Sequence, residues 1–150
     1  MEHVKDPKKV IQGKKNKRSG NQLEAEARAS LISEGYILTR WQNNVDLVAD
    51  KMIAAKPKWN FFTKSISYAG TGFMDFVVMK PLDKLGTYKV IGLECKRSGY
   101  LDPEEREKVK WYLDNNIFPK IIIAKKDKGG HMIFVDSQTK EQLKVEELFN

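Results

Sequence analysis

The sequence predicts an α/β domain with a central mixed sheet flanked by helices. Three observations point there. Residues 73–79 and 90–96 are apolar runs joined by a turn bearing Pro81 and Gly86, which makes an antiparallel hairpin. Residues 102–116 carry a helix signature and deliver the chain to Lys120-Ile121-Ile122-Ile123-Ala124. That unbroken apolar run fits a strand buried on both faces and parallel to its neighbour, reached by a helical crossover.

The 150 residues suit one domain with a real core, and 41% hydrophobic with 31% charged residues is ordinary for a globular chain. No apolar run is long enough to span a bilayer. The Lys-rich N-terminus has no apolar stretch, unlike a secretory signal. One cysteine excludes an internal disulfide, and one Cys with two His builds no zinc cluster. A cytoplasmic, reducing compartment is therefore the expectation, with no membrane partner. The net charge of +7 favours a polyanion, nucleic acid ahead of an anionic membrane surface.

Charge is concentrated at the start. Residues 1–19 hold seven Lys and Arg residues against two acids, a net +5. With few large apolar residues, they read as a basic, flexible arm whose Lys14, Lys15, Lys17 and Arg18 grip phosphates. Residues 20–150 then form the domain. Ser19 or Asn21 caps a helix running to about Glu34, stopped by Gly35. Glu24 lies in line with Ala27 and Leu31, the inward stripe, whereas Glu26 shares a face with Ser30 and Ser33. A Glu at that place also suits the helix dipole.

Residues 36–41 read as the first strand, broken by Gln42, Asn43 and Asn44. Val45, Val48 and Met52 recur at helical spacing and predict a second helix up to Lys56. Trp59, Phe61 and Phe62 follow, with Lys58 and Lys64 among them. They could stack on exposed bases, but the favoured reading is an aromatic cluster covering one edge of the core. Residues 67–72 form a flexible loop ahead of the strand that contains Asp75. Asp102, Pro103 and Glu105 start the helix that runs to about Asn116 as N-cap, first-position proline and third-position acid. A last strand covers 131–135, and Asp136 or Ser137 caps a short C-terminal helix carrying Leu143, Val145 and Leu148.

The chemistry centres on Val90-Ile91-Gly92-Leu93-Glu94-Cys95-Lys96. Alternation places Ile91, Leu93 and Cys95 on one face and Gly92, Glu94 and Lys96 on the other. An acid and an amine on a strand that otherwise looks buried need pairing or a metal. An ordinary salt bridge on an exposed face is the plainer alternative. Glu-x-Lys is also a workable core for metal-assisted phosphodiester hydrolysis: the acid holds the cation and the lysine orients water or steadies phosphate charge. The hairpin sets Asp75 beside Glu94, and two carboxylates converging from adjacent strands suit Mg²⁺. Gly70-Thr71-Gly72 lacks the lysine and following helix of a phosphate loop, so no nucleotide cofactor is expected. Cys95 and Ser98 have no neighbouring base in sequence, and neither His3 nor His131 has a partner that suggests histidine chemistry.

This order of elements, with acids on the first helix and second strand and Glu-x-Lys on the third, resembles the PD-(D/E)XK nuclease superfamily. Gly20-Asn21-Gln22-Leu23-Glu24 with Leu31 and Gly35-Tyr36 resembles the opening of archaeal Holliday-junction resolvases. Glu94-Cys95-Lys96-Arg97-Ser98-Gly99 with Leu101 and Pro103-Glu104 also resembles the stand-alone VRR-NUC type. The resemblance covers roughly residues 18–135. It implies a restriction-endonuclease-like αβββαβ core, with Asp75 and Glu94 as metal ligands, Glu24 completing the shell and Lys96 as the catalytic lysine. It further implies Mg²⁺, for which Mn²⁺ substitutes, DNA bound in part through Ser67 and Arg97, and a homodimer cutting branched DNA. The alternatives are a nuclease on single-stranded or linear duplex ends, and a DNA-binding module without catalysis. Two departures stand out. Met74 replaces the proline of the motif name, and Asn44-Val45-Asp46 offers Asp46 as a second metal-Asp candidate. Asp75 is preferred for its short connection to Glu94.

Overall fold

The structure, a computed structural model, describes residues 6–67, 72–83 and 85–150. Helix α1 spans Pro7–Ser33. Strands β1 (Ile37–Arg40), β2 (Asn43–Asp46), β3 (Lys51–Ala54), β4 (Lys58–Asn60) and β5 (Ser65–Ser67) follow. Next come β6 (Phe76–Pro81), β7 (Tyr88–Cys95), helix α2 (Pro103–Asp114), β8 (Ile121–Lys126), β9 (Met132–Asp136) and β10 (Gln142–Leu143).

The main sheet has six strands in the order β1-β6-β7-β8-β9-β10. Only β7 and β8 pair in parallel, joined by the α2 crossover; the other neighbours are antiparallel. The expected mixed α/β sheet is therefore present. Its two faces pack separate cores. On one side Ala27 and Leu31 of α1 meet Leu38, Phe76, Val78, Ile91, Leu93, Ile122 and Ala124. On the other, Val109 and Tyr112 of α2 meet Phe73, Met74, Ile121 and Ile123. Strand β8 feeds both cores because alternate side chains leave opposite faces, which explains its unbroken apolar run.

Four sequence expectations need correction. The helix starts at Pro7, not near residue 20, so the described part of the basic arm is helical. Asp6 caps it by accepting the Lys8 N–H at 2.9 Å, and Pro7 occupies the first turn. Lys, Arg and Gln are adequate helix formers, and Gly13 and Gly20 do not interrupt the run. Its first half stands exposed in solvent.

The helix expected over 45–56 is instead the β2–β3 hairpin, Val45 facing Met52 and Asp46 facing Lys51. The Asp46 carboxylate accepts the Val48 and Ala49 N–H groups at 3.1 and 2.9 Å and closes the turn. Val48, counted as a core position by helical spacing, is 99% exposed. The C-terminal helix is likewise replaced by β10 and a single 3₁₀ turn, Val145–Glu147. Asp136 again makes a turn, accepting from Gln138 and Thr139 N–H, and β10 then pairs back on β9.

The aromatic segment also departs from expectation. Strands β4 and β5 form a two-stranded sheet of their own, and Trp59, Phe61 and Phe62 do not cover the core. Phe61 is 82% exposed and Phe62 fully exposed. The predicted loop over 67–72 falls largely on residues 68–71, outside the described residues. Among the described residues no helix is long and apolar enough to cross a membrane.

Candidate active site

Asp75 lies one residue before β6, whose first pair with β7 is Phe76 with Leu93, the neighbour of Glu94. Its backbone is held on both sides. The Asp75 N–H donates to the Leu93 carbonyl at 3.1 Å, and its carbonyl accepts from Trp41 N–H at 3.2 Å. The Asp75 Oδ2 accepts the Cys95 N–H at 2.7 Å, so the side chain lies against the end of β7. The approach to Asp75 is fixed by Tyr112. That buried hydroxyl donates to the Phe73 carbonyl at 2.8 Å and accepts from Trp41 Nε1 at 3.0 Å. Its ring stacks on Phe73 at 6.5 Å between centroids.

Glu94 is only 7% exposed. Burial, followed by repulsion from Asp75, pushes its carboxyl well above the usual carboxylate range. Asp75 is raised in the same direction, burial leading and Glu24 adding to it. The two carboxyls therefore share a site in which both cannot readily carry charge.

Lys96 follows β7, its N–H bonded to the Ala124 carbonyl at 2.9 Å. The Lys96 ammonium lies 3.8 Å from Glu94 Oε1 and forms an ion pair with Glu105. Burial works to lower its pKa, but the hydrogen bond to Glu105 and the nearby carboxylates outweigh it, so Lys96 stays cationic. Glu105 was identified in the sequence only as a capping residue. It does close the capping box, accepting the Asp102 N–H through Oε2 at 3.0 Å, while Oε1 reaches Lys96. The capping motif was the visible signal; nothing in it disclosed which side chain the other oxygen would meet.

Glu24 faces the sheet from α1, and an Arg40 ion pair at 2.8 Å engages it. Arg40 also lies over the Phe76 ring, 4.9 Å from its centroid. Glu24, Arg28, Arg40, Asn21 and Phe76 line a shallow depression of about 220 Å³. Asp46, the second candidate, is spent on its own turn in a separate hairpin. Lys14, Lys15, Lys17 and Arg18 are exposed along α1, and Arg97 is exposed just after Lys96. Ser67 ends β5, away from the six-stranded sheet's pairing. Burial, with Asp75 and Glu94 close by, pushes the Cys95 thiol far up, which disfavours the thiolate.

Among the described residues no group of three His, Cys, Asp or Glu side chains stands ready as a metal cluster. The donor set nevertheless fits a hard divalent cation. Asp75 and Glu94 present carboxylate oxygens that repel one another, and Glu24 and Glu105 add negative potential at Glu94. Such a site takes up either protons or a small oxygen-seeking cation. Compared with protein-family models, with curated proteins and with solved structures, the chain has no match in any of the three.

Proposed function

We propose that this domain is a divalent-metal-dependent DNA nuclease. The observation that carries the reading is that Asp75, bound to the Cys95 N–H beside Glu94, repels the Glu94 carboxyl, with the Lys96 ammonium 3.8 Å from Glu94. The sequence of elements α1, β1, β6, β7, α2, β8 supports a restriction-endonuclease-like core, since it follows the αβββαβ order. The basic face of α1 supports a phosphate-bearing partner.

Asp75 and Glu94 would hold Mg²⁺, or Mn²⁺ in its place. The cation would supply Lewis-acid activation of water and neutralise charge on the scissile phosphate. The remaining work falls to the protein. The Cys95 N–H fixes the orientation of Asp75. Lys96 presents a charged donor to the attacking water or a non-bridging phosphate oxygen, and Glu105 holds it there. Glu24 orients through its partner Arg40 and can reach the shell through water. Lys14, Lys15, Lys17, Arg18 and Arg97 hold the flanking backbone. Branched DNA as substrate, and a homodimer cutting opposing strands, complete the reading on the strength of the sequence resemblance.

A second reading, a binding module without catalysis, is favoured by the exposed basic helix, which requires no cleavage site. One experiment separates them. Labelled four-way junction, single-stranded and linear duplex DNA are incubated with Mg²⁺ or Mn²⁺, wild type beside Glu94→Ala. Paired symmetric nicks on the junction, lost in the variant, establish the resolvase reading. Laddering from free ends places the activity there instead. A gel shift without products in either metal leaves the binding module.

A further inference from the structure

The β4–β5 hairpin buries almost none of its large apolar side chains. Trp59 is 53% exposed, and Ile66, its cross-strand partner, 61%. Phe61 and Phe62 form the tip. The tip is nonetheless shaped: Asn60 Oδ1 accepts the Phe62 and Thr63 N–H groups at 2.9 and 3.2 Å, and Lys64 takes a φ of 49°. A polar turn would have met the same geometry, so the aromatic rings are not required by the fold.

Two further observations indicate what the rings meet. From Lys51 to Met74 the chain holds Lys51, Lys56, Lys58 and Lys64 and no acid. All four lysines are exposed. Aromatic faces among lysines, with no carboxylate to repel a phosphate, complement single-stranded nucleic acid. The hairpin also roots beside the candidate site. Its flanks come together where a Cβ on Gly72 would lie 3.6 Å from that of Ala55. Gly72 is three residues from Asp75, which limits their separation to about 11 Å.

We propose that this hairpin is a base-stacking wedge for unpaired nucleotides, with Trp59, Phe61 and Phe62 stacking on bases and Lys56, Lys58 and Lys64 holding the adjoining phosphates. The wedge deepens the nuclease reading, and rests on it, by placing unpaired bases next to the cleavage centre. Fully paired duplex offers the rings no base faces. The substrate class is therefore DNA with a junction, gap or single-stranded segment.

The test is equilibrium binding in Ca²⁺ of 2-aminopurine-labelled gapped DNA and of the matching paired duplex. Wild type is compared with Trp59→Ala/Phe61→Ala/Phe62→Ala and with Phe62→Ala alone. The fully exposed Phe62 ring can be removed without loss of packing. Stacking on a base is worth about tenfold in affinity. The triple variant should lose at least tenfold on gapped DNA and less than twofold on paired duplex. Phe62→Ala should lose part of the 2-aminopurine quench. Gapped-DNA binding within twofold of wild type in the triple variant overturns the wedge. So does equal loss on both DNAs, or a shift in sedimentation with DNA binding unchanged, which assigns the rings to self-association. Cleavage by wild type in Mg²⁺ is scored separately. Aromatic-dependent binding without cleavage counts for the wedge and against the nuclease.

Discussion

The Cys95 N–H donates to Asp75 Oδ2 at 2.7 Å, tying the carboxylate at the head of β6 to the strand that carries Glu94 and Lys96. One backbone bond thus fixes the mutual position of residues twenty apart in sequence. Because the donor is backbone, no substitution at position 95 other than proline removes it.

If the carboxyl pair holds the cation, Asp75→Asn and Glu94→Gln each abolish metal-dependent cleavage. Partners that merely orient metal ligands cost about 10- to 100-fold when removed, so a ligand itself should cost at least about a hundredfold. Both variants should bind DNA as tightly as wild type in Ca²⁺. Retained cleavage in Glu94→Gln would reject the assignment.

The same pair makes stability depend on pH in a defined direction. Both carboxyls are raised in the folded protein, so folding favours their protonated forms. Their stabilising contribution is whole below the ordinary carboxylate pKa of about 4 and is lost as pH rises through the raised values of Asp75 and Glu94. In EDTA, the stability of Glu94→Gln relative to wild type should therefore grow from pH 5 to pH 9. Mg²⁺ should narrow that gap at alkaline pH by stabilising wild type alone. Denaturant unfolding across this range checks both, and a pH-independent difference would contradict the burial argument.

Glu105 has two roles that substitution can separate. Glu105→Gln keeps a capping side chain but removes the charge beside Lys96. Cleavage should fall about tenfold, and the alkaline limb of its pH profile should move to lower pH, because burial then acts on Lys96 with less opposition. Glu105→Ala should add a capping loss of about 1 kcal/mol. An unshifted alkaline limb in Glu105→Gln would separate Lys96 from the chemistry.

Tyr112→Phe removes one hydroxyl and leaves Trp41 Nε1 and the Phe73 carbonyl without their shared partner. Leaving buried polar groups unpaired costs about 1–3 kcal/mol. Urea unfolding should show that loss. Cleavage should weaken as well, since Phe73 sets the path of the chain into Asp75.

Several elements were legible in the sequence because their signals are local. Asp102, Pro103 and Glu105 gave the start of α2, and Gly35, at a φ of 85°, marks the end of α1. The apolar runs around Asp75 and Glu94 declared a hairpin whose register then followed. The second predicted helix failed although the competing signal is also local. Val45, Val48 and Met52 satisfy helical spacing, yet the Asp46 side chain closes a tight turn and β3 pairs straight back on β2. Spacing alone does not show which of three apolar residues will find a core.

By itself the sequence determined the α/β class, the positive balance of charge, and the hairpin that carries Glu94, with Asp75 and Lys96 at the strand ends. Those follow from periodicity, capping and composition, which act over a few residues. The tertiary structure alone decided that Lys96 is shared by Glu94 and Glu105, that Glu24 is engaged by Arg40, and that the aromatic hairpin faces solvent. Each of these depends on which surfaces meet after the chain has crossed the sheet. Burial and charge pairing are properties of that meeting, and a short stretch of sequence does not show which of its charges end up paired.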